Sequence, residues 1–342
     1  MKKNIITIIL GILMIGGVIA GYFYNQIFNQ SITNFKTESK ELFIPTNSSY
    51  QDVLYLLEAE KIINDKKRFD RIAKLKKYDK LIKPGHYIIK KDISANLLIN
   101  KLRIGDQAPM ILTFNNVRTR AQLAGKFAKY IEPDSTSILH VLNNPKIHKK
   151  YGFNNYTFNT LFLPNSYEIK WNTSAEQLIE RMATEYKTFW NSERKSKAKQ
   201  LNLSQSEVVI LASIVKAETA KNDEAPKVAG LYLNRLKRKM LLQADPTLKF
   251  AIGDFSIKRI LNKHKEIKSP YNTYMHIGLP PGPINIPSQI YIDAVLSPST
   301  HKYIFMCAKP DFSGYHNFSK TNAQHEAFAR EYHHALNKQG IY

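Results

Sequence analysis

An uncharged apolar run from Ile5 to Tyr24 stands directly behind Lys2 and Lys3. It constrains this chain before any other feature does. A run of about 20 apolar residues is what a helix needs to cross the hydrocarbon of a bilayer, and such a segment has no place in a water-soluble surface. The two lysines are expected to stay on the cytoplasmic side, with Tyr22, Phe23 and Tyr24 at the far interface. A cleaved signal peptide is the alternative, with Val18-Ile19-Ala20 as its processing site. The anchor is preferred, because the run continues through three aromatic residues beyond that point. The expected order is therefore a cytoplasmic tail (1–4), a transmembrane helix (5–24) and a polar linker (25–39), with everything after it outside the cytoplasmic membrane.

Charge narrows the partners of that external part. Lys and Arg number 50 against 28 Asp and Glu, a formal charge of +22. Such an excess suits an anionic polymer or lipid headgroups, or serves solubility alone. No zinc-finger, RRM or KH pattern accompanies it, so nucleic acid is not expected as a partner. Cys307 is the one cysteine, so no intrachain disulfide can form. It lies in the apolar run Tyr303–Ala308 and reads as a small buried hydrophobe in a strand.

Beyond the linker the patterns point to an α+β chain. Leu42-Phe43-Ile44 reads as a strand, Ser48 or Ser49 as a helix cap, and Asp65 to Leu75 as a second helix. Pro84-Gly85-His86-Tyr87-Ile88-Ile89 gives a turn and a strand, and Ser94 caps a third helix. This strand, helix, helix, strand, helix order sets off a small module at 40–105. A larger, mostly helical domain follows at 106–342, opening with a strand at 110–114 and a helix capped by Thr119. Further helices are expected from Ala175 to about Trp190, after the capping box Ser204/Glu207, from Pro226 to about Met240, and from Asp245-Pro246 to Gly253. A helix from Ser288 to Leu296 interrupts a proline-rich loop between Pro270 and Pro298, and a second capping box, Thr321/Gln324, opens the last helix.

One carboxylate breaks the helical pattern. Leu211, Ile214, Val215 and Glu218 follow the i, i+3, i+4, i+7 spacing of a buried stripe. An ionised carboxylate held away from water is costly unless paired or protonated, and a carboxyl kept protonated near neutrality is what general-acid chemistry uses. The bland alternative is a helix-end Glu whose stripe stops at Val215. Glycoside hydrolysis normally employs two carboxylates, and Asp223, Glu224, Asp245, Asp254 and Glu326 are the candidates. Each has a structural reading available: Asp223 and Glu224 precede Pro226, Asp245 precedes Pro246, and Glu326 falls in a first turn. A single carboxylate that first donates and later accepts a proton remains open. Metal chemistry is not expected. His325-Glu326 begins an H-E-x-x-H motif, but position 329 is Ala. In the proline-rich loop, Tyr271, Asn272 and Tyr274 offer stacking faces and amides suited to sugar rings and N-acetyl groups, or the loop is a structural crossover.

At this point the residues resemble a family. Leu211-Ala212-Ser213-Ile214-Val215-Lys216-Ala217-Glu218-Thr219 resembles the Ala-Ser-Ile-Val-Glu-Lys-Glu signature of the YceG-like endolytic murein transglycosylases. Lys227 to Leu236, Leu242 to Thr247, Ser269 to Tyr274, Gly278 to Ile284, Gly314 to Ser319 and Thr321 to His325 are similar to family segments in order and spacing, as is Leu163-Pro164-Asn165-Ser166-Tyr167 upstream. The chain departs from the pattern at Lys216-Ala217, where the signature has Glu-Lys. It departs also at Asn165-Ser166 (Asp-Thr) and Asn285-Ile286-Pro287-Ser288 (Asn-Pro-Gly).

The resemblance implies a LysM-like module at 40–105 and a catalytic domain at 106–342 with a lysozyme-like cleft. It implies a lytic transglycosylase without metal or cofactor, cleaving between N-acetylmuramic acid and N-acetylglucosamine with Glu218 as acid and then base. Gln243, Asp245, Thr247, Tyr271, Asn272, Thr273, Tyr274, Pro281, His316, Phe318 and His325 would contact the substrate. The implied partners are peptidoglycan strands, the bacterial cytoplasmic membrane, and penicillin-binding synthases working on nascent strands. A hydrolytic muramidase with Asp245 directing water, and a non-catalytic wall-binding scaffold, are the competing expectations.

Overall fold

The computed structural model describes residues 2–257 and 260–340, for residues 2–7 by their backbone alone. Met1 of the expected tail, the side chains of Lys2 and Lys3, and residues 341–342 of the expected C-terminal domain lie outside the described residues. The fold mixes helix and sheet and divides into two compact units. Unit 1 comprises 1–112 with 130–133 and 168–174, and unit 2 the remainder.

Helix α1 (Lys2–Tyr24) opens unit 1. Ile8 to Tyr24 are exposed along its length, so these apolar side chains find no protein core. The helix is long and apolar enough to cross a membrane. The rest of unit 1 follows the expected order: β1 (Ser39–Ile44), α2 (Tyr50–Ala59), α3 (Lys66–Leu75), β2 (Gly85–Lys90) and α4 (Ala95–Ile104). β1 and β2 pair antiparallel, with Leu42 opposite Tyr87. Ser49 caps α2 in a reciprocal box with Asp52, Asp65 caps α3, and Ser94 caps α4. The core behind them joins Leu42, Ile44, Leu57, Phe69, Ile72, Tyr87, Leu98 and Leu102. The segment expected as a linker enters this core. Ile32 and Phe35 are buried in it, and the Ile32 N–H donates to the Ile93 carbonyl. The four large apolar side chains of this stretch, Ile27, Phe28, Ile32 and Phe35, are outnumbered by polar ones, which is why the sequence reads as linker there.

β3 (Met110–Thr113) precedes the helices of unit 2: α5 (Arg120–Phe127), α6 (Ser135–Leu142) and α7 (Pro145–Lys150). After β4 (Ser166–Ile169) come α8 (Ala175–Phe189), α9 (Ser192–Gln200), α10 (Gln205–Glu218), α11 (Ala225–Lys237), α12 (Asp245–Ile252), the single turn α13 (Asn262–Lys265) and α14 (Gln289–Leu296). A hairpin of β5 (Phe305–Ala308) and β6 (His316–Ser319) and the helix α15 (Asn322–Lys338) close the unit. α10 is its central element. Every residue from Val208 to Val215 is buried, so the helix is surrounded rather than striped. α11, α12 and α14 pack against it, and its start is held by the expected Ser204/Glu207 capping box. The second expected box is half formed. Thr321 accepts from the Gln324 N–H, while the Gln324 side chain accepts from Lys320 instead of the cap residue.

Residues 284–286 of the proline-rich loop lie against α10. Asn285 donates to the Ser213 carbonyl at 2.7 Å, the Ile284 N–H donates to the Ser213 hydroxyl at 3.1 Å, and Lys216 reaches the Ile286 carbonyl at 3.1 Å. Residues 282–287 are buried. Prolines suit such a crossing, because each one removes a backbone donor that burial would otherwise leave to be satisfied.

Candidate active site

Glu218 is the last residue of α10, and the chain turns away at Thr219, whose N–H still donates to the Val215 carbonyl. The side chain is half-buried. It forms part of the floor of a cleft of about 390 Å³ and is surrounded by protein on its other sides. Leu231, Tyr232 and Arg235 of α11, Leu242, Gln243, Asp245, Tyr274, Phe305, Met306, Asn322 and His325 line the remainder.

The electrostatics of Glu218 follow from these neighbours. Burial pushes its carboxyl from the ordinary 4.5 up to about 7. The Tyr232 hydroxyl, donating to Oε1 at 2.6 Å, pulls it down, the Asp245 carboxylate pushes it up again, and Arg235 and Lys249 pull it down. The carboxyl also stands at the negative end of α10, which disfavours a further negative charge. A group balanced near neutrality can both give and take a proton. The adjoining hydroxyl cannot compete for that role, because burial and the Glu218 charge drive the Tyr232 phenol far above its ordinary value.

Arg235 organises the opposite wall. Its guanidinium is buried and donates to the carbonyls of Ile304 at 2.6 Å, Leu242 at 2.9 Å and Leu241 at 3.2 Å, and to the Gln243 side chain at 3.2 Å. One planar cation thus ties α11 to β5 and to the segment that leads into α12. Gln243 adopts a left-handed backbone with φ of 50°. Its N–H donates to the Thr273 carbonyl at 3.0 Å, and the next N–H donates to the Thr273 hydroxyl. The result places Asp245 at the rim of the cleft, where the Tyr274 hydroxyl donates to it at 2.5 Å.

The residues implied by the resemblance therefore separate into groups. Gln243, Asp245, Tyr274 and His325 line the Glu218 cleft. Thr247, Asn272 and Thr273 are buried behind it. The Thr247 and Thr273 hydroxyls bond each other at 2.9 Å, and the Asn272 amide donates to the carbonyls of Lys265 and Ile267 while accepting from the Tyr274 N–H. These three hold Tyr274 and Asp245 rather than face the cleft. Tyr271 packs on Phe250, and Pro281 borders a separate groove. The His316 ring bonds the Glu224 carboxylate at 2.8 Å, and the Lys227 ammonium lies over the Phe318 ring at 4.4 Å. Neither His316 nor Phe318 lines the cleft. Tyr232 and Arg235 do, but their spacing on α11 resembles that of any amphipathic helix and marks neither. A hydroxyl one helix away from a candidate acid has no signature in linear sequence.

Glu224, a candidate second carboxylate, is committed elsewhere. It is buried, accepting from the His316 ring and the His316 N–H. Asp223 accepts from the Tyr315 hydroxyl. Asp245 is the candidate that shares the cleft with Glu218.

The chain matches the model of the YceG-like family over residues 42–331. It is similar to an endolytic murein transglycosylase of Bacillus subtilis (strain 168), with 27% identity over 336 residues, 94% of this chain and 91% of that relative. It is similar also to an endolytic murein transglycosylase of Streptococcus pneumoniae serotype 2, with 28% identity over 327 residues. There it covers 84% of this chain but 58% of the longer streptococcal protein. Among solved structures, a yceG-like protein from Listeria monocytogenes superposes with a TM-score of 0.56 at 26% identity, over 85% of this chain and 98% of that one.

Proposed function

The chain belongs to the YceG-like family, and from that premise we propose that it is an endolytic peptidoglycan lytic transglycosylase with Glu218 as its acid and base. The observation that carries the reading is the Glu218 carboxyl, set in a cleft and pushed to about 7. Protonated, it donates to the glycosidic oxygen between N-acetylmuramic acid and N-acetylglucosamine as the bond to the muramyl anomeric carbon breaks. The cationic character that develops on the sugar is stabilised by the carboxylate now formed and by Asp245 across the cleft. Glu218 then takes the proton from the muramyl 6-hydroxyl as that oxygen closes on the anomeric carbon. The proton returns to its origin, no water is consumed, and a 1,6-anhydro end results. Tyr232 holds the carboxyl in place through both transfers.

Asp245 gives the hydrolytic alternative its one favourable observation, since two carboxylates in a cleft could direct a water. The bond from Tyr274 fixes Asp245 and occupies one of its oxygens, which weighs against that role. Mass spectrometry of digested glycan strands separates the readings. Anhydro ends are expected, reducing ends would identify a muramidase, and no cleavage by the native protein would leave a binding scaffold. The cleft is read as lysozyme-like in use, and the β1-α2-α3-β2-α4 part of unit 1 as a LysM-like wall-binding module. With α1 as a single-pass anchor in the cytoplasmic membrane and the N-terminus inside, unit 2 would act on strands outside, close to the penicillin-binding synthases that extend them.

A further inference from the structure

A second cavity, of about 350 Å³, opens on the other side of the same residues. Ala217 and Pro246 line it, while their neighbours Glu218 and Asp245 line the cleft. The two spaces therefore share the end of α10 and the start of α12. Arg118, Lys216 and Lys249 converge on the second cavity, with Asn116 and Asn285 as its polar remainder and Phe255 and Ile284 as apolar wall. No Asp or Glu lines it among the described residues.

Three cations gathered on one hollow repel each other. The Lys216 ammonium is held below its ordinary value by burial first and then by the charges of Arg118 and Lys126. Its one protein acceptor among the described residues is the Ile286 carbonyl at 3.1 Å. The Arg118 guanidinium lies 4.5 Å over the Phe255 ring, which orients it. A carboxylate placed between them would meet the geometry that both donors prefer. Lys249 is close enough for its charge to reach Glu218, so the basic hollow and the reacting carboxyl belong to one field. Lys216 is also a position where this chain departs from the family signature.

We propose that Arg118 and Lys216 form a subsite for a carboxylate carried by the muramyl residues of the strand, next to the sugar being cleaved. This rests on the transglycosylase reading for its substrate. The carboxylate has two sources of the same chemistry, the lactyl group of a peptide-free strand or the carboxylates of a stem peptide. The subsite determines specificity and does not touch the reacting atoms, so its loss acts on KM more than on kcat.

The test uses the detergent-solubilised full chain and three strand preparations: peptide-bearing, peptide-stripped, and stripped with lactyl carboxyls converted to neutral amides. Arg118→Gln and Lys216→Met are compared with the native protein. Lys249 is left alone because its removal would also perturb Glu218. The expected result is a KM about tenfold higher in each variant on charged strands, with the native protein's preference for charged over neutralised strands falling towards one. A large effect on stripped strands identifies the lactyl group, and an effect confined to peptide-bearing strands identifies the stem. Equal preference in native protein and variants overturns the subsite. Pull-down of the same strands by the Glu218→Gln protein, with and without Lys216→Met, reads the subsite without turnover. Loss of cleavage chemistry and loss of carboxylate recognition are thereby distinguishable: absent anhydro ends with intact charge-dependent binding would sink the first and keep the second.

Discussion

Glu218 carries two consequences that point in opposite directions. As the acid it is needed protonated, so replacing it with Gln should cut turnover by about a hundred- to ten-thousand-fold, read as anhydro ends released per minute. As a group whose pKa rises from 4.5 to about 7 on folding, it favours the folded state fully below pH 4.5 and loses that contribution as pH climbs through 7. The Glu218→Gln protein should therefore be more stable than its parent at pH 8, by up to roughly 3 kcal/mol and less for the face open to the cleft. The gap should close towards pH 4, which urea titrations at the two pH values would measure. Its neighbours tune the same group with opposite signs. Tyr232→Phe removes a bond that favours the carboxylate, so the alkaline limb of the rate profile should move to higher pH. Asp245→Asn removes a like charge, so the limb should move to lower pH. Limbs that stay together in both variants would mean that another group governs the profile. Glu218 was legible in sequence because a carboxylate at a stripe position breaks a pattern. Tyr232 and Arg235 break none, and the polar side chains of Asn272 and Thr273, which bond other parts of the chain, read in sequence like ones awaiting a sugar.

At the scale of elements, α10 is where the sequence pattern and the structure part. Periodicity predicts a one-sided stripe, whereas α10 is buried all round, and the carboxylate's anomaly comes from its place at the helix end facing a cleft. The caps agree more closely, since Ser49, Ser94, Thr119 and Ser204 each accept from a backbone N–H where the sequence predicts it. Capping is decided by neighbours within one turn, and so it is written locally. Close approach between elements is not. Gly230 of α11 leaves no room for a Cβ, which would stand 2.5 Å from the Ser299 carbonyl and 2.9 Å from the His301 ring. Helix propensity alone would make Gly230→Ala stabilising by about 1 kcal/mol. The crossing reverses the sign, and a net loss of roughly 1–3 kcal/mol is expected, seen as a lowered Tm. A raised Tm would show that the 299–301 segment yields without cost.

The whole molecule joins an apolar helix to two folded units, and the boundary between anchor and unit 1 can be tested by truncation. Removing residues 2–24 should yield a protein that partitions into buffer and keeps the native unfolding transition, because Ile27 and Phe28, which pack against the unit 1 core, are retained. Removing residues 2–38 also deletes Ile32 and Phe35 from the unit 1 core and should cost about 3–5 kcal/mol on the scale of large-to-small core changes. Equal denaturant midpoints for the two truncations would contradict that packing. The charge of +22 belongs to this scale as well: strand binding should weaken as salt rises, because exposed charges are screened beyond about 10 Å at 0.1 M.

The sequence by itself determined what depends on near neighbours and composition. That covers the apolar span, the helix caps, the order of elements in unit 1, and a single carboxylate out of pattern. The tertiary structure alone decided what depends on distant residues meeting. It brought Tyr232 and Asp245 to opposite effects on one carboxyl and spent Glu224 on His316. It turned the proline-rich loop into a brace on α10 and gathered Arg118 and Lys216 around one hollow. Local patterns record the energies of turns and stripes, but the pKa of a buried group is set by every charge and dipole that folding carries to it.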